Sequence, residues 1–144
     1  MINPEQAARF AMLEQAAPEL RRAFEALTSA HMYFQGAGAL RTLSVSDVLD
    51  NGSIEATFQG VRIKFELLLV FGSEGGARGR VVCIQCHCTY GQARQDVLGA
   101  FTFGEDGQTD LPPDAAGAYP NLHRHAPAIV LHFLDAALRA NNTI

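Results

Sequence analysis

Residues Val61 to Phe71 read VRIKFELLLVF, and an apolar side chain occupies every second position of this stretch. Strict alternation is typical of a β-strand, because successive side chains along a strand point to opposite faces. The second face carries three charged residues followed by two apolar ones: Arg62, Lys64, Glu66, Leu68 and Val70. The stretch therefore predicts a long strand with one apolar face and one mixed face.

The segments upstream of this strand predict two shorter strands. Residues 42–46 and 54–58 each alternate between apolar and polar side chains. Asn51-Gly52, which lies between them, is the dipeptide best suited to the positive φ angles of a tight hairpin. Gly60 marks the next reversal, which leads into the long strand.

The segment that follows the long strand, residues 72–79, reads GSEGGARG. Glycine-rich loops that bind phosphate lie between a strand and a helix, and no helix is predicted here. We therefore interpret the segment as the tip of a hairpin. Two further strands are predicted at residues 80–90 and 97–103. Strands that follow one another in this way favour an antiparallel meander.

Helical patterns precede the predicted sheet. Asn3 followed by Pro4 is a good helix start, because an Asn side chain can cap free amides and proline needs no amide hydrogen bond. This first helix is predicted to end near Ala16, since Pro18 cannot continue it without losing a hydrogen bond. A second helix is predicted from Pro18 to a stop at Gly36. Its apolar stripe consists of Leu20, Phe24, Leu27, His31 and Phe34.

The end of the chain predicts a long loop and a last helix, which we expect to pack on the sheet. The loop suggests either a binding loop or a short strand near residues 109–111. The fold class is α+β, with two N-terminal helices, an antiparallel meander of about five strands, and a C-terminal helix packed on one sheet face. We interpret residues 1–144 as a single domain. Its parts are a helical segment (1–36), the sheet (41–103), the loop (104–125) and the last helix (126–140).

Composition narrows the function classes. The chain has 144 residues and a net charge of −4, which gives no general attraction to nucleic acid or to an anionic membrane. The remaining route to nucleic acid is a set of four basic residues: Arg62, Lys64, Arg78 and Arg80. The first residues lack the pattern of a secretory signal, and the longest apolar run, residues 67–71, is too short to span a bilayer. We expect a cytoplasmic protein with no nucleic-acid or membrane partner.

Residues 83–87 spell C-x-x-C-H, the attachment motif of c-type haem. Residues three apart on a strand point to opposite faces, so Cys83 and Cys86 could not both hold one porphyrin. Zinc fits better because Cys86 and Cys88 share a face, but a spacing of two along a strand does not wrap a metal. We predict that Cys86 and Cys88 are small buried side chains, that His87 lies at the surface, and that the chain binds no metal or cofactor.

The other histidines each have a structural and a functional interpretation. His31 lies in an apolar helical stripe, which favours a core imidazole bonded to a backbone carbonyl over a binding role. Residues 123–125 (HRH) could meet an anion or an acidic partner, or could lie in a solvated loop. His132 and Asp135 could form a surface pair on the last helix.

No motif of a common enzyme class is present: the chain has no G-x-S-x-G, H-E-x-x-H, Walker or dinucleotide fingerprint. The leading hypothesis is a non-enzymatic protein-binding module, such as an inhibitor, an immunity-type protein or a chaperone-like adaptor. It would use an open sheet face or a sheet edge. Leu68 and Val70 are predicted to form an apolar patch on that face, together with Val81 and Leu98. Such a patch predicts a protein partner or a homodimer.

The alternative hypothesis is a small apolar-ligand-binding protein or enzyme with a cavity between a curved sheet and the C-terminal helix. Glycines within the strands could permit the curvature. The predicted lining residues are Phe58, Phe65, Phe101 and Tyr90. Any chemistry would then fall to His31, Tyr33 or Tyr90.

Overall fold

The computed structural model describes residues 1–36, 38, 40–48 and 52–141. The helices are α1 (Pro4–Glu25), α2 (Ser29–Gly36) and α3 (Ala126–Ala140), with a 3₁₀ turn at Ala26–Thr28 between α1 and α2. The strands are β1 (Ser44–Val48), β2 (Ser53–Phe58), β3 (Val61–Phe71), β4 (Ala77–Thr89) and β5 (Gln92–Phe103). The predicted α+β class is confirmed. No helix among the described residues is long and apolar enough to cross a membrane.

The strands form one antiparallel sheet in the order β1-β2-β3-β4-β5, which is a meander. Gln59-Gly60 and Tyr90-Gly91 are two-residue turns in which all four φ angles are positive, between 50° and 81°. Positive φ at both central residues defines the type I′ turn that matches the twist of a hairpin. The predicted Asn51-Gly52 turn lies partly outside the described residues.

The glycine-rich segment between β3 and β4 is a hairpin tip, as predicted. Phe71 pairs with Ala77 across the end of the two strands. The N–H of Gly72 donates to the carbonyl of Gly76 at 2.7 Å, which closes the loop. The loop leads into strand β4 and not into a helix. It therefore lacks the helix N-terminus that binds the anion in phosphate-binding loops.

The N-terminal helices confirm the predicted start and contradict the predicted break. Asn3 caps α1, since its side-chain oxygen accepts from the N–H of Glu5 at 2.8 Å. The helix then continues through Pro18 to Glu25, so the predicted end near Ala16 is wrong. Pro18 and Glu14, whose carbonyl the proline ring displaces from its hydrogen bond, are both exposed to solvent. Water can bond this carbonyl, which allows the helix to continue.

The helices pack on one face of the sheet around a single apolar core. α1 lies across β3 and β4, and α3 lies across β3 and β5. The ring of Phe133 on α3 packs against two strand residues, with ring centroids 5.7 Å from Phe65 and 5.8 Å from Phe101. The buried strand residues of this core are Val45, Ile54, Ala56, Ile63, Phe65, Val81, Cys83, Phe101 and Phe103.

The predicted long loop is ordered by bonds to its neighbours. Thr109 forms a single bridge with Phe103, so the segment near residues 109–111 forms one β-bridge and no extended strand. The carboxylate of Asp110 accepts from the backbone N–H of Thr102 at 2.8 Å and bonds the hydroxyl of the same residue at 3.0 Å. The loop is therefore attached to the last residues of β5.

Candidate functional site

The sheet face opposite the helices, here called the open face, is the candidate site. Cross-strand pairing determines which side chains share it: Lys64 pairs with Ile84, and Ile84 pairs with Val97. Directly opposed residues in an antiparallel sheet point to the same side. The open face includes Glu55, Arg62, Lys64, Glu66, Leu68, Val70, Arg78, Arg80, Val82, Ile84, Cys86, Gln95, Val97 and Ala100.

Five side chains on the open face form what we call the apolar patch: Leu68, Val70, Val82, Ile84 and Val97. Leu68 is 55% exposed and Val97 is 70% exposed. Half-buried Val82 lies between them, and Ile84, directly opposite Val97, is 8% exposed. The structure thus places the predicted pair, Leu68 and Val70, on the face that the helices leave uncovered. Large apolar side chains grouped at a surface are typical of an interaction site.

Two predicted members of the patch lie elsewhere. Val81 is fully buried in the core, where it pairs with Leu67 and Phe101. Leu98 is the extra residue of a β-bulge, and its partly buried side chain packs against the core. The bulge shifts the alternation of β5 by one residue and places Val97 on the open face. Val97 is a patch residue that the sequence analysis missed.

Charged residues surround the apolar patch, and most of them are paired. Arg62 lies 3.3 Å from Glu55, and Lys64 lies 3.1 Å from Glu66. Arg78 donates to the hydroxyl of Thr102, whereas Arg80 is exposed beside Leu68. The strands thus present four basic and two acidic residues on this face of a chain whose net charge is −4. The open face has a local positive excess.

The cysteines are distributed over three environments. Cys83 is buried in the core, Cys86 is half-buried on the open face, and Cys88 is exposed. The prediction that Cys86 and Cys88 are buried is therefore wrong. His87 is also not a free surface residue, because it is half-buried and its Nε2 lies 3.1 Å from a carboxylate oxygen of Asp96. Among the described residues, no group of His, Cys, Asp and Glu could hold a metal ion.

Burial raises the pKa of the Cys83 thiol well above its ordinary range, and the nearby Cys86 adds to the increase. Below a pH of about 8.5 this thiol is protonated in both the folded and the unfolded chain. At higher pH the unfolded chain releases a proton that the folded chain keeps. The free energy of unfolding should therefore fall with rising pH, by up to about 1.4 kcal/mol per pH unit from this thiol.

Urea unfolding of the wild type and of Cys83→Ala between pH 8 and 10 measures this effect. We expect the variant to be less stable at pH 8, because it loses buried volume, and to show a shallower decline with pH. The two proteins differ only at residue 83, so the difference between their pH slopes reports on the Cys83 thiol. Equal pH slopes would contradict the assignment.

In the predicted HRH segment, His123 and Arg124 are exposed, whereas His125 is half-buried. His125 precedes α3, and its Nδ1 accepts from the N–H of Asn121 at 2.9 Å, so it orders the loop. The predicted pairing of His132 with Asp135 is wrong, because Asp135 pairs with Arg139 at 2.9 Å.

His31 is half-buried and bonds to the sheet edge. Its Nδ1 accepts from the N–H of Val45 at 3.2 Å, so its partner is a backbone amide and the predicted bond to a carbonyl is wrong. The side chain of Gln35 donates to the carbonyl of Leu43 at 3.4 Å. These α2 side chains bond the backbone at the start of β1. At the opposite edge of the sheet, Asp110 occupies the backbone groups of Thr102.

The structure does not place the predicted cavity residues around a cavity. Phe65 and Phe101 pack directly on Phe133, which fills the space between the sheet and α3. Tyr90 is fully exposed at the tip of the β4–β5 hairpin, and Tyr33 is exposed on α2. The predicted lining by Phe65, Phe101 and Tyr90 is therefore wrong.

Comparison with known proteins adds no functional information. No protein-family model matches the chain. Searches of curated proteins and of solved structures also find no match. The function must therefore be argued from the open face and the edges of this α+β sheet.

Proposed function

We propose that this chain is a non-enzymatic, cytoplasmic protein-binding module and that the open face is its binding surface. Inhibitors, immunity-type proteins and chaperone-like adaptors are examples of this class. The observation that supports the proposal is the exposure of Leu68 and Val97 on a face from which all described helices are absent. We also propose that the chain forms a homodimer.

The chemistry of the open face indicates the kind of partner it fits. Leu68 lies directly opposite Arg80, and Val70 lies opposite Arg78. A complementary surface would place apolar side chains on the patch and carboxylates near these two guanidinium groups. The partner is therefore proposed to be a protein with a mixed apolar and acidic surface. Its apolar contacts supply most of the binding free energy, and its carboxylates fix the orientation.

The double variant Leu68→Asp/Val70→Asp tests this proposal. Each side chain contributes about 1 kcal/mol or more when it is buried by a partner, so we expect the affinity to fall at least 30-fold. The partner would first be captured from an extract of the source cells with the tagged wild-type protein. Calorimetric titration of the purified partner would then compare the two proteins.

Leu138→Asp is the matched control, because Leu138 is also an exposed leucine but lies on α3. It should capture the same partner with unchanged affinity. The circular dichroism spectrum and thermal midpoint of the double variant should show that the sheet remains folded. Equal capture by the wild type and the double variant would contradict the proposal. So would steeply salt-dependent binding of nucleic acid that persists in the double variant.

A further inference from the structure

We infer that two copies of this chain pair through the free edge of β5, antiparallel and centred on Gln95. The inference rests on the homodimer proposed above and names its interface, the edge of β5, which shares only Val97 with the apolar patch. Two such sheets would join into one continuous sheet with both open faces on the same side.

Several of the other edge groups among the described residues are already bonded from within the chain. His31 bonds the amide of Val45 on β1, and Gln35 bonds the carbonyl that precedes this strand. At the end of β5, Asp110 bonds both the N–H and the carbonyl of Thr102. Exposed strand edges with free amides and carbonyls are sites at which another strand can add. The described part of β5 from Gln92 to Ala100 is such an edge.

The direction of the backbone groups follows from the turn at the start of β5. In a hairpin with a two-residue turn, the flanking residues exchange hydrogen bonds, so Gln92 bonds toward β4. Alternation then turns the N–H and carbonyl groups of Ala93, Gln95 and Val97 away from β4. These three residues can bond a strand that approaches from outside.

The charges of β5 select one register. Arg94 and Asp96 flank Gln95 on the same face, 3.1 Å apart, and their side chains are 69% and 50% exposed. If Gln95 lies opposite Gln95 of the other copy, each Arg94 lies opposite an Asp96. Centring the pair one residue earlier or later would place two arginines or two aspartates opposite each other. Opposite charges across strands are favourable and like charges are unfavourable.

The same register accommodates the remaining features of the edge. Val97 of each copy would lie opposite Ala93 of the other. These two Val97–Ala93 pairs and the central Gln95 pair would each exchange N–H···O=C hydrogen bonds. The register also brings the Tyr90-Gly91 turn of one copy beside Ala100 of the other, just before the position at which Asp110 covers the edge. Because the contact is short, we expect a dimer that dissociates in the micromolar range.

Charge exchange between residues 94 and 96 tests the register. Arg94→Asp places two like-charged pairs across the interface, and so does Asp96→Arg, so each variant should self-associate at least about tenfold more weakly than the wild type. In a mixture of the two variants, every opposed pair is again Arg with Asp. The mixture should therefore form a heterodimer that neither variant forms alone. Sedimentation velocity with one variant fluorescently labelled measures all three species.

Gln95→Pro provides an independent test of the hydrogen bonds. Proline removes an outward N–H, which an edge strand tolerates, so the monomer should fold while dimerisation falls. Gln95→Ala is the control and should dimerise as the wild type does.

A monomeric wild type at millimolar concentration, or self-association unchanged in Arg94→Asp, would overturn the inference. Dimerisation lost in Leu68→Asp/Val70→Asp but retained in Arg94→Asp would place the interface on the open face instead. Loss of partner capture without loss of the dimer would leave the edge interface intact.

Discussion

Gly79→Ala is expected to lower the free energy of unfolding by about 3 kcal/mol, because it inserts a methyl group into a fully packed site. Gly79 on β4 pairs with Phe103 on β5, and the phenyl ring lies across the glycine. A Cβ atom at residue 79 would be 2.2 Å from the ring carbon Cζ. Phe103 is fully buried, so its ring cannot rotate away without displacing the core. Urea unfolding monitored by circular dichroism measures the loss.

Two further variants show whether this contact is the cause. Gly76→Ala lies in the β3–β4 loop, where an added Cβ meets nothing within 4 Å, so it should change stability by less than about 0.5 kcal/mol. Phe103→Leu is destabilising alone, but the cost of Gly79→Ala should be smaller when leucine occupies residue 103. A double-mutant cycle measures this coupling. Equal stability of Gly79→Ala and Gly76→Ala would show that the ring can move.

The sequence was sufficient to predict the elements whose periodicity is uninterrupted. The predicted bounds of β3 and α3 match the structure at both ends. In each, one period persists for the whole element; Gly60 and Gly72 flank β3, and Pro127 marks the start of α3. The periodicity of α3 also indicates its core side, on which Ile129, Phe133 and Ala137 are buried, but Leu138 at the end of the same apolar stripe is 41% exposed.

Which residues of neighbouring strands share a face of the sheet could not be predicted. Alternation separates Val81 from Val82 correctly, but it does not show which of the two lies opposite Leu67. This depends on register, which the turn between β3 and β4 determines, and a glycine-rich loop permits several registers. Gly99 was a usable signal for the bulge, since an isolated glycine in a strand often marks one. A bulge predicted at this glycine would have shifted the alternation of β5 and assigned Val97 to the open face.

The helix break illustrates a competition between local and tertiary effects. Pro18 weakens α1 locally, yet the apolar residues on both sides of it face the same core, so packing keeps the helix continuous. The break falls instead at Ala26–Thr28. The bonding of the sheet edges could also not be predicted from the sequence. The hydrogen bond from Val45 to His31, for example, joins residues that only the folded structure brings together.

The contact between α3 and the sheet depends on a small cluster of rings. Phe133 is almost fully buried, packs edge-on against Phe65 and stacks on Phe101. Gly99 lies beneath the same ring, where even an added Cβ would come within 3.2 Å of it. Because the ring has close neighbours on three sides, they cannot collapse far into the space that its removal would leave.

Phe133→Ala should therefore cost about 3–5 kcal/mol and lower the thermal midpoint by about 10 °C or more. Phe71→Ala is the matched control, because Phe71 contacts another ring, that of Phe10, but is 37% exposed at the end of β3. Its loss should be less than half as large. Differential scanning calorimetry of the two variants measures both effects. If Phe133→Ala were no more destabilising than Phe71→Ala, α3 would not be held to the sheet by this cluster. The open face would then be only one of two faces available to a partner, since a loosely held α3 would expose the core side of β3 and β5 as well.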